Sequence, residues 1–519
     1  MKTFKRFPAI LIAIFMMVSM MVIPASAAGE YSVTITNTNE KHTYNVYQIF
    51  SGDLHDGILS NIAWGTGVTA DGQTAMGVAS SKASSLSTEA HAREFANLLV
   101  TSGYLQTPVA SGTPTGTTFT ATGLNAGYYL ITDTIANSLE AEATSQYIVQ
   151  ILGNISMQPK AGVPTIHKTV SRDNISYGEG TSVSIGDTVY YKITAKLHDY
   201  VNTYSKYYVR FEDVIPNGIA YNTANSFVGL YVENGTTKSE VDDTYYSVDY
   251  TGNQLTVTVP NIHAAILDAT GSATKVADEL VVYYKATLDT DATIGIPGEE
   301  NVAKLYYSNN PNEAYSGTGT PAQLGVTKQD VATVYTYELA LKKVDATNNT
   351  QVLEGASFVI YVKEDGSETK KYMTFDASGT LSGYTYSESE ATKVTTDATG
   401  MLSVSGLGRG TYWLHEVVAP GGYNLLESDI SVTFAGSIDG NTGKLSSITA
   451  SQHGGNSVEV ELNGSNIPTG LITVTVGNQK GATLPTTGGI GTTIFYGIGG
   501  VLVLGALSLL IVRKRTTAK

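Results

Sequence analysis

The residues of this sequence best placed to do chemistry are lysines and asparagines set into alternating apolar strands. In the run TYELALKKVDA, Leu339, Leu341 and Lys343 share one face of a two-residue period, so Lys343 points into a core and Lys342 points the other way. Burial disfavours charge, which shifts a lysine toward neutral amine and a carboxyl toward neutral acid. A neutral lysine amine is a nucleophile for a carbonyl carbon. The run ENVAKLYYSNNP sets Asn301 in phase with Ala303, Leu305 and Tyr307, and IHKTV carries Lys168 on an earlier strand. Lys160, in Gln158-Pro159-Lys160-Ala161, is in the opposite situation. Proline fixes its own φ and restricts the residue before it, so this lysine belongs on an extended, exposed segment open to an external enzyme. Other chemistries lack their residues. There is no cysteine for a thiolate site, the 8 histidines show no metal-like pairing, and no G-x-S-x-G elbow is present. The acidic clusters Asp242-Asp243 and Asp289-Thr290-Asp291 lack the spaced oxygen ligands of a calcium loop. No metal and no cofactor are expected.

The elements that must hold these side chains are mostly strands. Abundant Tyr, Val and Thr suit a pleated, half-buried surface, and the frequent Gly supplies its turns. At 519 residues the chain has room for about three domains. Lys2, Lys5 and Arg6, an apolar stretch through Ile23, and Ala25-Ser26-Ala27 make residues 1–27 a secretory signal. A first domain, 28–160, opens on YSVTITN and YNVYQIF and carries one helix, capped by Thr88, with Ala92, Phe95, Ala96 and Leu99 on one face. Residues 161–330 and 331–481 read as two further strand-rich domains, and the fold class is all-β, tandem Ig-like sandwiches. Residues 482–519 hold an apolar run from Ile490 to Val512, long enough to span a bilayer, and the basic tail Arg513-Lys514-Arg515 that stays on the cytoplasmic side. The net charge of −15 argues against nucleic acid as a partner, because phosphates need a basic surface.

Leu484-Pro485-Thr486-Thr487-Gly488, followed by this span and tail, resembles the cell-wall sorting signal of Gram-positive surface proteins. The resemblance implies that a sortase cysteine cleaves after Thr487, leaving its carbonyl as an acyl-enzyme for an incoming amine. The run from Tyr412 to Tyr423, YWLHEVVAPGGY, resembles the pilin E-box, and its place between LKKVDA and VGNQKG is that of Cna B-type isopeptide domains. This implies Lys343 as amine, Asn478 as the amide it attacks, and Glu416 as the catalytic acid. FEDVIPNGIAYN resembles the acid-bearing strand of Cna A-type domains, which implies Asp213 as the acid of a second set with Lys168 and Asn301. Asn309 and Asn310 remain open as acceptors there, and Glu212 as the acid. Pro159-Lys160 keeps half of the Y-P-K-N motif whose lysine links the subunits of sortase-assembled fimbriae.

Nearly the whole chain therefore resembles a backbone (major) fimbrial subunit. The resemblance implies a structural shaft protein, not an enzyme, in a covalent polymer of identical subunits. A class C pilin sortase would join Thr487 of one subunit to Lys160 of the next, and a housekeeping sortase would attach the fibre to peptidoglycan. Minor pilins or a tip adhesin would be further partners. A monomeric wall-anchored adhesin with a stalk of the same domains is the alternative; it forms no polymer and has no use for Lys160.

Overall fold

The computed structural model describes residues 31–37, 41–135, 144, 146–159, 162–198, 200–311, 313, 315–364, 366–481 and 490–516. The predicted secretory signal, Lys160 and the pentapeptide 484–488 lie outside the described residues.

Alternation of apolar and polar residues gives each domain two sheets with a core between them. In the first domain Tyr31–Thr36 lies between Thr118–Leu124 and Ile155–Met157, facing a second sheet built on His42–His55 and Gly127–Ile135. Val33, Ile35, Val46, Phe119 and Ile131 fill the space between them. The predicted helix is Glu89–Thr101. The Thr88 side chain accepts from the His91 N–H, and Ala92, Phe95, Ala96 and Leu99 are buried. Two more helices, Ala70–Met76 and Ala79–Ser85, precede it, where the sequence reading had one. Each is about two turns long, too short to show an apolar period. A further unpredicted helix, Ile262–Thr270, sits in the middle domain and ends on Gly271 in the left-handed region.

In the middle domain the sheet order is Thr237–Glu240, Phe227–Asn234, Glu279–Leu288, Thr188–Lys196, Thr165–Ser171. Opposite it runs Gly180–Ser182, Asp330–Tyr335, Glu299–Ser308, Val209–Val214, Gln254–Val259, Ser247–Thr251. Asp330–Tyr335 pairs with Glu299–Ser308, so the sequence boundary after residue 330 falls at the start of a middle-domain strand. Only Thr336 separates that strand from Tyr337–Asp345, the first strand of the third domain. There Tyr337–Asp345 lies between Met401–Leu407 and, in parallel, Pro468–Asn478. The facing sheet includes Ser357–Lys363, Gly410–Val418 and Ile430–Ile438.

The joint between the last two domains is hydrogen-bonded like a domain interior. Gly295 N donates to Thr336 O at 2.7 Å, Ile296 N to Thr469 O at 3.2 Å, Ile185 N to Gly406 O at 2.9 Å, and Gly408 N to Ser184 Oγ at 2.9 Å. One hydrophobic core runs through both domains. A Cβ on Gly295, at φ +71°, would lie 1.8 Å from Thr469 O, so no side chain fits there without moving backbone. Gly295→Ala is expected to lower the unfolding temperature of this two-domain unit in calorimetry of the full mature chain. The left-handed backbone alone costs about 1–2 kcal/mol, and the overlap adds to it.

The apolar C-terminal run is the helix Ile490–Thr516, ending on Arg513, Lys514 and Arg515. Its Thr493–Arg515 stretch is long and apolar enough to cross a membrane, and its most apolar part is not buried among the described residues.

Candidate functional site

In the third domain the two-residue period delivers Lys343 where it was expected. Its side chain is fully buried, while Lys342 on the other face is half-exposed. Parallel pairing sets Lys343 against Val476 and Asp345 against Asn478, which brings amine and amide together across neighbouring strands. Lys343 Nζ donates to Asn478 Oδ1, and to Val476 O at 3.3 Å. Glu416 comes from the opposite sheet, on Gly410–Val418, and its Oε1 is 3.8 Å from Lys343 Nζ. Asn478 Nδ2 donates to both Glu416 oxygens, at 2.9 and 3.0 Å, and to Asn424 O at 3.0 Å. Leu426 N donates to Glu416 Oε2 at 2.8 Å.

The turn that follows the acid closes the open end of the sandwich over this cluster. Tyr423 N donates to Pro420 O, Asn424 N to Gln479 O, Gly481 N to Gly422 O, and Tyr423 Oη to Asp345 Oδ2 at 2.9 Å. Water is thus kept from the amine, and burial lowers the Lys343 pKa to about 8 against the opposing pull of Glu416. An amine of that kind is an effective nucleophile, and the carboxyl across the amide can exchange protons with the leaving nitrogen.

The middle domain holds a second cluster built across its two sheets. Lys168 lies on the edge strand Thr165–Ser171, and Asp213 and Asn301 lie on the facing sheet. Asp213 pairs with Ala303, so Asn301 is its diagonal neighbour on the same face. All three side chains are buried. Lys168 Nζ donates to Asp213 Oδ2 at 2.5 Å and to Tyr284 Oη at 3.1 Å, and Asn301 Nδ2 donates to the same Tyr284 Oη at 2.6 Å. The Lys168 ammonium lies over the rings of Tyr191 and Tyr284, at 4.8 and 5.2 Å. Burial lowers its pKa; Asp213 and Asp330 counter the shift. The other candidates lie elsewhere. Glu212 pairs with Arg210 at 2.8 Å, Asn310 donates to Gln323, and the backbone carbonyl of Asn309 accepts from Thr144 of the first domain.

Three family models match the chain. One described as Gram-positive pilin backbone subunit 2, Cna-B-like domain, covers residues 185–311; one described as a prealbumin-like fold domain covers 337–446; and the LPXTG cell wall anchor motif covers 478–519. The trypsin-resistant surface T6 protein of Streptococcus pyogenes serotype M6 is 25% identical over 407 residues, 69% of this chain and 70% of that protein. The chain is a sortase-assembled Gram-positive backbone pilin. The solved T6 backbone pilin of serotype M6 Streptococcus pyogenes superposes with a TM-score of 0.53 at 18% identity, covering 88% of this chain and all of that one. The major pilin SpaD of Corynebacterium diphtheriae gives a TM-score of 0.45 at 17% identity, covering 87% and 98%. The pilin is the shaft subunit of a polymerised pilus, secreted and anchored in the cell wall.

The middle-domain match is described as Cna-B-like, where the motif FEDVIPNGIAYN had suggested an A-type domain. A twelve-residue motif spans one strand and its turn, and does not report the strand order of two sheets. In the pilin's first domain the buried polar side chains among the described residues include a His42–Asp133 pair at 2.7 Å and no lysine. His167 sits between Asp330, 3.1 Å from Nδ1, and Glu179, 3.4 Å from Nε2. Its two nitrogens thus address different carboxylates. Sequence reasoning missed Tyr284. Alternation along VVYYKATL marks it as inward-facing, but not as the residue between Lys168 and Asn301.

Proposed function

We propose that each buried cluster closes a lysine–asparagine amide, Lys343 to Asn478 and Lys168 to Asn301, and that sortase joins Thr487 of one pilin to Lys160 of the next. The observation that carries this reading is Asn478, held through Nδ2 by both Glu416 oxygens while Lys343 Nζ lies on its Oδ1. Attack of the neutral amine on Asn478 Cγ forms the C–N bond. One proton passes from Nζ to Nδ2 through Glu416, and ammonia leaves. A shaft under tension gives the bonds their purpose. Load entering at Lys160 reaches Lys168, crosses to Asn301 in the facing sheet, passes through Asp330–Tyr335 and Thr336 to Lys343, and crosses to Asn478 just before the anchor. The sandwich cores are bypassed, and the first domain hangs outside the loaded path.

Class C pilin sortase builds the polymer and a housekeeping sortase transfers it to peptidoglycan, with minor pilins or a tip adhesin as further partners. Wall extract on a denaturing gel is expected to show a ladder of high-mass species. Pro485→Ala, or replacement of Leu484, is expected to abolish the ladder and leave the chain in the membrane fraction, because the enzyme must hold the pentapeptide in one bent conformation that proline presets. Covalent attachment of the Pro485→Ala chain to the wall would refute the sorting step.

A further inference from the structure

The two clusters use different hardware for one reaction. In the third domain the Glu416 carboxyl touches the amide nitrogen with both oxygens and stands 3.8 Å from the amine, so one side chain spans both nitrogens. In the middle domain the acid is an aspartate, one methylene shorter. Asp213 contacts Lys168 Nζ through Oδ2, while its Oδ1 and the Oδ1 of Asn301 are buried without a hydrogen-bond partner. The group that touches both reacting nitrogens is the Tyr284 hydroxyl, 3.1 Å from Lys168 Nζ and 2.6 Å from Asn301 Nδ2. Tyr284 is 1% exposed, stacked on Tyr191 at 4.8 Å and flanked edge-on by Tyr221. The hydroxyl is therefore held in place.

We infer that Tyr284 is a catalytic residue of the middle domain, relaying the proton from the attacking nitrogen of Lys168 to the leaving nitrogen of Asn301. The inference rests on the Lys168–Asn301 cross-link proposed above. Asp213 Oδ2 first takes one proton from the Lys168 ammonium, leaving the amine lone pair free. Nζ bonds to Asn301 Cγ as the carbonyl electron pair moves to Oδ1. Before attack the amide nitrogen has no lone pair to offer, and the hydroxyl accepts from it; after attack that nitrogen is pyramidal and basic, and the hydroxyl donates to it. Tyr284 gives its proton to Nδ2 and takes one from Nζ, so the phenol ends unchanged. The Oδ1 pair returns to carbon and the C–Nδ2 bond breaks. One amide and one ammonia are formed, and the ammonia can carry off the proton held by Asp213. Burial keeps the phenol protonated at all ordinary pH, ready to donate.

The test follows bond formation by intact mass and peptide mapping in freshly synthesised chains spanning residues 28–487. Tyr284→Phe is expected to form the Lys343–Asn478 bond at the wild-type rate and the Lys168–Asn301 bond at least ~100-fold more slowly, the usual contribution of a general acid–base group. The third-domain bond reports folding within the same molecule. Difluorotyrosine at 284 keeps the shape with a more acidic phenol, and is expected to move the pH profile of the middle-domain bond alone, which a purely structural role would not do. Wild-type rates in Tyr284→Phe, or an unmoved profile with difluorotyrosine, would overturn the relay and leave the cross-link standing. A wild-type chain with no Lys168–Asn301 bond would remove the cross-link and the relay together.

Discussion

The mature pilin, residues 28–487, is expected to weigh two ammonia molecules less than its sequence, and Glu416→Ala to fall short of its own sequence mass by only one. In that variant Asn478 loses both oxygens that hold its Nδ2, and Lys343 loses the one carboxyl within 4 Å in this cluster. Nothing then carries a proton to the leaving nitrogen. Asp213→Ala is expected to restore the other ammonia by leaving Lys168 without its base. The stability effect should be large for two reasons. Lys343 and Asn478 are 135 residues apart, and a cross-link closing a loop of that size removes about 5 kcal/mol of chain entropy from the unfolded state. A buried amine left without its partner adds a penalty of about 3–5 kcal/mol. Calorimetry and timed trypsin digestion would read the loss. A wild-type mass equal to the unmodified sequence would end the cross-linking reading.

How much of this site was legible in the sequence depended on the range over which each feature is encoded. Lys343 was placed by two-residue alternation, a local property that burial of Leu339 and Leu341 enforces. Asn301 was placed the same way. The closure of the third-domain cluster by the 420–426 turn was present as the tail of the E-box motif, though not its contacts with Gln479 and Gly481. The joint at Thr336 was not legible, because a strand that leaves one sheet and enters the next with a single residue between them shows no turn residues. The short helices were missed for want of a long enough period. Tyr284 was missed for a different reason. It meets Lys168, 116 residues away, and Asn301 in the facing sheet through the packing of the two sheets, and alternation states only which way a side chain points, not what it meets.

Lys160→Ala is expected to abolish the polymer ladder while leaving monomer attached to the wall through Thr487. The acceptor for an acyl-enzyme must be a primary amine that is exposed, able to deprotonate, and open to a bulky enzyme. Lys168 and Lys343 fail on the first count, since both are fully buried, and on the proposed chemistry both are already amides. Lys160 follows an exposed Gln158 and a half-buried Pro159 at the end of the first domain, between the strand Ile155–Met157 and the strand Thr165–Ser171 that carries Lys168. That location decides the mechanics as well as the access. An acceptor eight residues before Lys168 would put the pulling force directly onto the first strand of the middle domain, the strand that the proposed cross-link ties to Asn301. An acceptor within the first domain would instead load a sandwich that has no buried lysine among its described residues, held only by ladder hydrogen bonds and marginal stability. Lys160→Arg is expected to fail like alanine, because a guanidinium stays protonated and cannot take the acyl group. Tandem mass spectra of trypsin-digested fibres are expected to show a branched peptide joining Lys160 to a chain that ends in Thr487. A branch at any other lysine would keep the fibre and discard this acceptor, and a full ladder from Lys160→Ala would do the same.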